Sequence, residues 1–145
     1  MNSTELSDST MQFSEWYPFD KEGIANAPQQ KGVYVIRKAN GQLLDLIRGK
    51  SDILYIGSTE GKRGLKKRLQ GYFQHSAKGT NLRVQEIAAK YKMEIAWCVC
   101  DKPYNFETNL NQQYQKDHDQ LPPLNRQGRR QMYDFADRFL VVNVE

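Results

Sequence analysis

Cysteine and histidine are scarce in this chain, with two of each among 145 residues. Cys98 and Cys100 alternate in a strand-like run and share a face, where a bridge between such near neighbours would be badly strained. So few thiols and imidazoles exclude a Cys/His metal cluster, and any metal must be held by oxygen ligands, which favours magnesium or a similar hard cation. No apolar run is long enough to cross a membrane. The first twenty residues lack the basic start and apolar stretch of a signal peptide, so the sequence predicts a cytoplasmic protein with no membrane partner. Internal repeats and low-complexity tracts are missing as well, and the length suits a single domain with one active site.

Positive charge is present and unevenly placed. The net charge is +4. Arg48, Lys50, Lys62, Arg63, Lys66, Lys67 and Arg68 cluster before and within one candidate helix, and Arg126, Arg129 and Arg130 form a second knot. Such runs are often no more than a solvated face, but they also suit a polyanionic partner.

Residues 1–30 are polar and contain Pro18 and Pro28; they read as a loosely held arm that docks through Trp16, Tyr17 and Phe19. The segment from Gly32 alternates Val33 and Val35 against Tyr34 and Ile36 and ends at Asn40-Gly41, a strand followed by a turn signal. An interruption, residues 42–52, precedes a second strand that carries Tyr55, Ile56 and Gly57 and should pair antiparallel with the first. A basic helix follows, with Leu65, Leu69, Tyr72 and Phe73 on one stripe and Arg68, Tyr72 and His75 in a row bordering it. Asn81 is placed to cap the next helix, whose buried face is Val84, Ile87, Ala88 and Tyr91. Met93, Ile95, Trp97 and Val99 line one side of a third strand. Asn105 is placed to cap a last helix with Phe106, Leu110 and Tyr114 on its apolar stripe and Glu107 beside it; Pro122-Pro123 then stops the chain before Leu124-Asn125.

The order of Gly32-Val33-Tyr34, Tyr55-Ile56-Gly57, a basic helix, an acid on a later helix and Pro-Pro-Leu-Asn resembles the GIY-YIG nuclease superfamily, in particular the nuclease domains of bacterial excision-repair endonucleases, over residues 32–126. The resemblance implies an α+β fold with a small central three-stranded antiparallel sheet flanked by helices. It divides the chain into an arm (1–30), a nuclease domain (31–126) and a basic C-terminal extension (127–145) packing on that domain. The implied activity is metal-dependent hydrolysis of phosphodiester bonds in DNA, with Mg2+ or Mn2+ and no small-molecule organic cofactor.

Carried over position by position, Tyr34 acts on the nucleophilic water as base or positioner, and Tyr55 lies near the scissile phosphate. Arg68 grips the phosphate with its fork of donors. Tyr72 assists near the water, and His75, next along the row, is a candidate proton shuttle. Glu107 is the metal ligand. Gly57 lets backbone or phosphate come close. Lys66, Lys67, Arg126 and Arg129 meet flanking phosphates, and Asn125 orders the edge of the site or touches phosphate. Two features depart from the family's pattern: the insertion between Tyr34 and Tyr55, and a long separation of Glu107 from Asn125, with Asn111, Gln112 and Gln113 at the usual spacing instead. The displaced acid leaves a catalytically inactive nucleic-acid-binding module as the alternative.

Overall fold

The computed structural model describes residues 1–7 and 11–125. The strands are β1 (Tyr17–Pro18), β2 (Gly32–Lys38), β3 (Leu44–Asp45), β4 (Lys50–Ser51), β5 (Ile53–Thr59) and β6 (Met93–Val99), and the helices are α1 (Ser3–Ser7), α2 (Lys21–Ile24), α3 (Gly64–Gln70), α4 (Gly79–Lys90) and α5 (Pro103–His118). The main sheet is antiparallel throughout, in the order β1-β6-β2-β5.

The fold is of the α+β class, as expected, but the main sheet has four strands rather than three. The extra strand comes from the N-terminal segment, where Tyr17 and Pro18 pair with Ile95 and Glu94 of β6. A sheet edge offers unpaired backbone groups, and this segment satisfies several of them: Phe19 N–H donates to Met93 O and Ser14 N–H to Trp97 O. The three aromatics dock as predicted. Tyr17 stacks on Trp97, Trp16 lies under the Arg37 guanidinium at 4.2 Å, and Phe19 is buried. Met1, Leu6, Ile24 and Ala27 are buried too, so this segment supplies core on both sides of the sheet.

β2 is central, and its alternation serves two cores. Tyr34 and Ile36 face the cluster containing Leu65 and Leu69 of α3 and Val84 and Ile87 of α4, while Val33 and Val35 face Met1, Leu6 and Tyr114. A strand buried on both faces carries apolar side chains at successive positions, and each such side chain contributes about 1.5–3 kcal/mol on removal from water. The Phe106–Leu110–Tyr114 stripe holds α5 on the second face as read from the sequence. Val99, expected beside Met93, Ile95 and Trp97, lies at the strand end and is exposed.

Helix boundaries differ from expectation where a side chain found better use elsewhere. α4 begins after Lys78 without a side-chain cap, and Asn81 turns to Arg68 instead. α5 begins at Pro103, whose fixed φ suits the first helical turn, so Asn105 is not its cap. The insertion between β2 and β5 forms the β3–β4 hairpin, and it leans on the far end of α5. Arg48 N–H donates to His118 O, Arg48 Nε to Asp117 O, and Ile47 N–H to Gln120 Oε1. His118 is buried; its Nδ1 donates to Arg48 O at 2.7 Å, and its Nε2 lies 2.8 Å from the Met1 amine and 3.0 Å from Met1 O.

Removing that imidazole takes a partner from the Arg48 carbonyl, leaves the Met1 amine with Asp117 alone and opens a void at a buried position, so His118→Ala should destabilise the fold by about 2–3 kcal/mol in urea unfolding. Ile47→Ala, at a hairpin position 75% exposed, should change stability by less than about 0.5 kcal/mol. Equal effects would mean that the hairpin is not tied to α5 through His118.

Candidate active site

Register brings the two tyrosine-glycine motifs into contact. Tyr34 on β2 is the direct partner of Gly57 on β5, and its ring lies across that glycine. A Cβ at position 57 would stand 2.5 Å from both Cζ and Oη of Tyr34 and 2.8 Å from Cε1 of Tyr55. The space predicted at Gly57 for a phosphate is therefore filled by the Tyr34 ring. Tyr34 and Tyr55 stack with ring centroids 6.0 Å apart, and Tyr72 meets Tyr34 edge-on.

Arg68 joins this group from α3. It sits one turn before Tyr72, and its Nη2 donates to the Tyr72 hydroxyl at 3.1 Å while Nη1 donates to Asn81 Oδ1 at 3.1 Å. Its Cζ lies 4.6 Å from the centre of the Tyr72 ring and 6.0 Å from that of Tyr34, within range for attraction to both π faces. The Tyr34 and Tyr72 hydroxyls are 2.7 Å apart, and either can donate. A guanidinium, two phenols and one amide thus form a continuous hydrogen-bonded chain. Asn81 is the member that sequence reading missed, because an Asn in the first turn of a helix looks like a cap.

The α3 end of the site is built by the segment before β2. Leu65 N–H donates to Gln30 O and Lys66 N–H to Pro28 O, which satisfies donors at the start of the helix. Gly64 has φ +68°, and a Cβ there would stand 2.3 Å from Gln30 N, so only glycine fits this junction. Lys66 and Lys67 lie on the outer side of α3, where with Arg63, Gln29 and Gln70 they line an open cavity of about 370 Å³.

His75 does not join the row. α3 ends at Gln70, a single 3-10 turn spans Gly71–Phe73, and Gln74 is extended. Gln85 Nε2 donates to the carbonyls of Tyr72 and Gln74 at this point, giving freed acceptors a partner as the chain leaves the helix. The i+7 relation to Arg68 is lost, and His75 is exposed in the following turn. Arg126 and Arg129, with the whole predicted 127–145 extension, lie outside the described residues.

Glu107 stands one turn into α5 and is half-buried, not at the helix start where a carboxylate would merely complement the dipole. With Thr108, Asn111, Gln112 and Asn125 it lines a cavity of about 250 Å³. α5 packs on the sheet face opposite Tyr34, and β5 is the edge strand between them. Asn125 closes that edge. Its Oδ1 accepts from Ile56 N–H at 3.0 Å and its Nδ2 donates to Ile56 O at 2.9 Å, as a neighbouring strand would. The oxygen and nitrogen of the Asn125 amide are thus both engaged with the Ile56 backbone.

Burial dominates the electrostatics. Tyr34 is 1% exposed, and its phenol is pushed well above the usual tyrosine range by desolvation and by the charges of Tyr55 and Glu107, with Arg68 and the Tyr72 hydrogen bond only partly countering. Tyr72 is raised for the same leading reason. A neutral phenol is not a general base at neutral pH, so of the roles expected for Tyr34 the positioning one fits. Burial by itself would depress the Arg68 guanidinium, but the surrounding Tyr34, Tyr72 and Tyr55 phenols more than offset this and it stays charged. Tyr55 and Arg68 are the half-buried members that a ligand can reach. Among the described residues, no group of three or more His, Cys, Asp or Glu is placed to hold a metal.

Two outcomes follow from this packing. Gly57→Ala should force the Tyr34 ring aside and destabilise the fold by about 1–3 kcal/mol, and a crystal structure of that variant with the ring unmoved would refute the account. Tyr34, Tyr72 and Tyr114 all have raised folded pKa values, so stability should be complete below pH about 10 and fall as pH rises through the range where unfolded tyrosines ionise and these do not. Melting temperatures from pH 8 to pH 12 test this; a flat profile would show that the phenols ionise freely in the fold. Comparison of the chain with protein-family models, curated proteins and solved structures finds no match.

Proposed function

We propose that the chain is a divalent-metal-dependent endonuclease that hydrolyses phosphodiester bonds of DNA on a GIY-YIG-like frame. The observation that carries this reading is the convergence of Tyr34, Tyr55, Arg68 and Tyr72 on one spot beside the edge strand β5, on whose other side Glu107 stands. Hydrolysis needs charge stabilisation on the phosphorus oxygens, an oriented water and support for the leaving 3′ oxygen.

Each need has a residue. Arg68 has five N–H donors, of which one goes to Tyr72 and one to Asn81, so the fork is held in place while others remain for the non-bridging oxygens of a phosphate. Tyr55, the reachable phenol, orients the attacking water by hydrogen bonding. Tyr34 and Tyr72 stand behind as positioning residues, fixing the guanidinium that they surround. Lys66, Lys67 and Arg63 form a basic bank along α3 that would meet neighbouring phosphates.

Glu107 is the residue to hold Mg2+ or Mn2+. Its cavity offers carboxylate, amide and hydroxyl oxygens and no thiol or imidazole, the donor chemistry of a hard cation. Bound there, the ion would stabilise charge on the phosphate and on the leaving oxygen. Water and phosphate oxygens would complete a coordination shell that one carboxylate begins.

Nicking of supercoiled plasmid with Mg2+ or Mn2+, with and without chelator, tests the proposal. Arg68→Ala and Glu107→Gln should each lower the rate at least ~100-fold with unchanged circular dichroism. Tyr55→Phe should lose about 100-fold and Tyr34→Phe about tenfold, without matching loss of DNA binding. Wild-type rates in Arg68→Ala or Glu107→Gln would refute the assignment. The burial of both Tyr34 and Tyr72 favours one other reading, a nucleic-acid-binding module that does not cut; salt-sensitive gel shifts without chelator-sensitive nicking would decide for it.

A further inference from the structure

Among the described residues, one buried side-chain polar atom has no hydrogen-bond partner: Oδ1 of Asn111. Buried acceptors are almost always satisfied, and one left bare is costly unless something outside the protein completes it. Asn111 is one of the residues lining the 250 Å³ cavity that Glu107 also lines. Asn111 follows Glu107 by four residues in α5, so the two side chains stand one above the other on the same helical face.

We infer that Asn111 is a second protein ligand at the cation site of Glu107, supplying a neutral carbonyl oxygen beside the carboxylate. This rests on the metal-dependent reading proposed above and adds to it a residue and a coordination chemistry. The surroundings narrow the choice of atom. Asn125, on the same cavity wall, has its amide oxygen and nitrogen both engaged with Ile56, so it is not the donor. Asn111 Oδ1 is the buried oxygen of this lining with no bond to the protein. A divalent cation takes amide carbonyls readily, and pairing one with a single carboxylate leaves the bound ion with net positive charge. That surplus is what an incoming phosphate requires. A second carboxylate would hold the ion more tightly while cancelling part of the charge.

A trapped water satisfying Oδ1 is the competing explanation, and it makes different demands on the variants. Mn2+ is titrated into the full-length chain without DNA, and free ion is followed by electron paramagnetic resonance for wild type, Asn111→Ala, Asn111→Asp and Glu107→Gln. Loss of one ligand should raise the Mn2+ Kd about tenfold in Asn111→Ala, and a second carboxylate should lower it about tenfold in Asn111→Asp. Glu107→Gln should show no binding. Asn111→Ala should melt no lower than wild type, because it removes an acceptor the protein itself does not satisfy. If both Asn111 variants bind Mn2+ like wild type while Glu107→Gln does not, the inference fails and the Glu107 metal site stands. A melting temperature for Asn111→Ala well below wild type would likewise overturn it, as the mark of a packing residue. If wild type binds no Mn2+ with or without DNA, the inference and the metal-dependent reading fall together.

Discussion

The seating of the Tyr34 ring on Gly57 is the constraint from which the rest of the site takes its geometry. It requires a register in which position 34 of β2 faces position 57 of β5, and a one-residue slip would send Tyr34 to the other face of the sheet. Register is in turn enforced from both sides, because β2 buries Val33 and Val35 in one cluster and Tyr34 and Ile36 in the other. With the ring fixed, the Tyr72 hydroxyl has a defined partner, and with Tyr72 fixed, so has Arg68. The glycine acts by what it lacks: a single methyl group there would displace the ring on which this chain of contacts begins.

The same packing sets the electrostatic character of the site. A guanidinium can stay charged when half-buried only if its surroundings compensate the lost water, and here three phenols and an amide oxygen do so with no carboxylate paired to it among the described residues. A carboxylate partner would have neutralised that positive charge. The Tyr72 hydroxyl accepts from Arg68, and the Tyr72 and Tyr34 rings lie against the guanidinium, contacts that leave its positive potential in place. Glu107 is on the helix that packs on the opposite face of the sheet from Tyr34 and the guanidinium.

Sequence patterns carried much of this and missed the rest for identifiable reasons. The alternation around Tyr34, the Leu65–Leu69–Tyr72 stripe and the Phe106–Leu110–Tyr114 stripe were legible because burial repeats with the period of the element. The strand at Tyr17–Pro18 was not, since two residues carry no period and the pairing is dictated by an open edge elsewhere in the fold. His75 was drawn into the site by assuming that α3 continued, when Gly71 begins a tighter turn that Gln85 then secures. Asn81 and Asn111 were hidden for a common reason: an amide on a helix has many ordinary uses, and only tertiary neighbours reveal whether it orients an arginine or stands without a partner.

The two departures from the expected spacing turn out to be one structural feature. From Glu107 the helix runs eleven residues further to His118, a rise of about 16 Å. Asp119 then adopts a left-handed conformation, φ +56°, and ends the helix. The six residues 119–124 can span up to about 20 Å when extended, enough to bring Asn125 back to the level of Glu107, where both line the same cavity. The longer separation in sequence is thus an excursion out and back that leaves the two residues together. An added length of helix needs something to pack against, and the β3–β4 hairpin supplies it, through Arg48, Ile47 and the buried His118. The hairpin and the far end of α5 cover one another and bond through backbone groups of both.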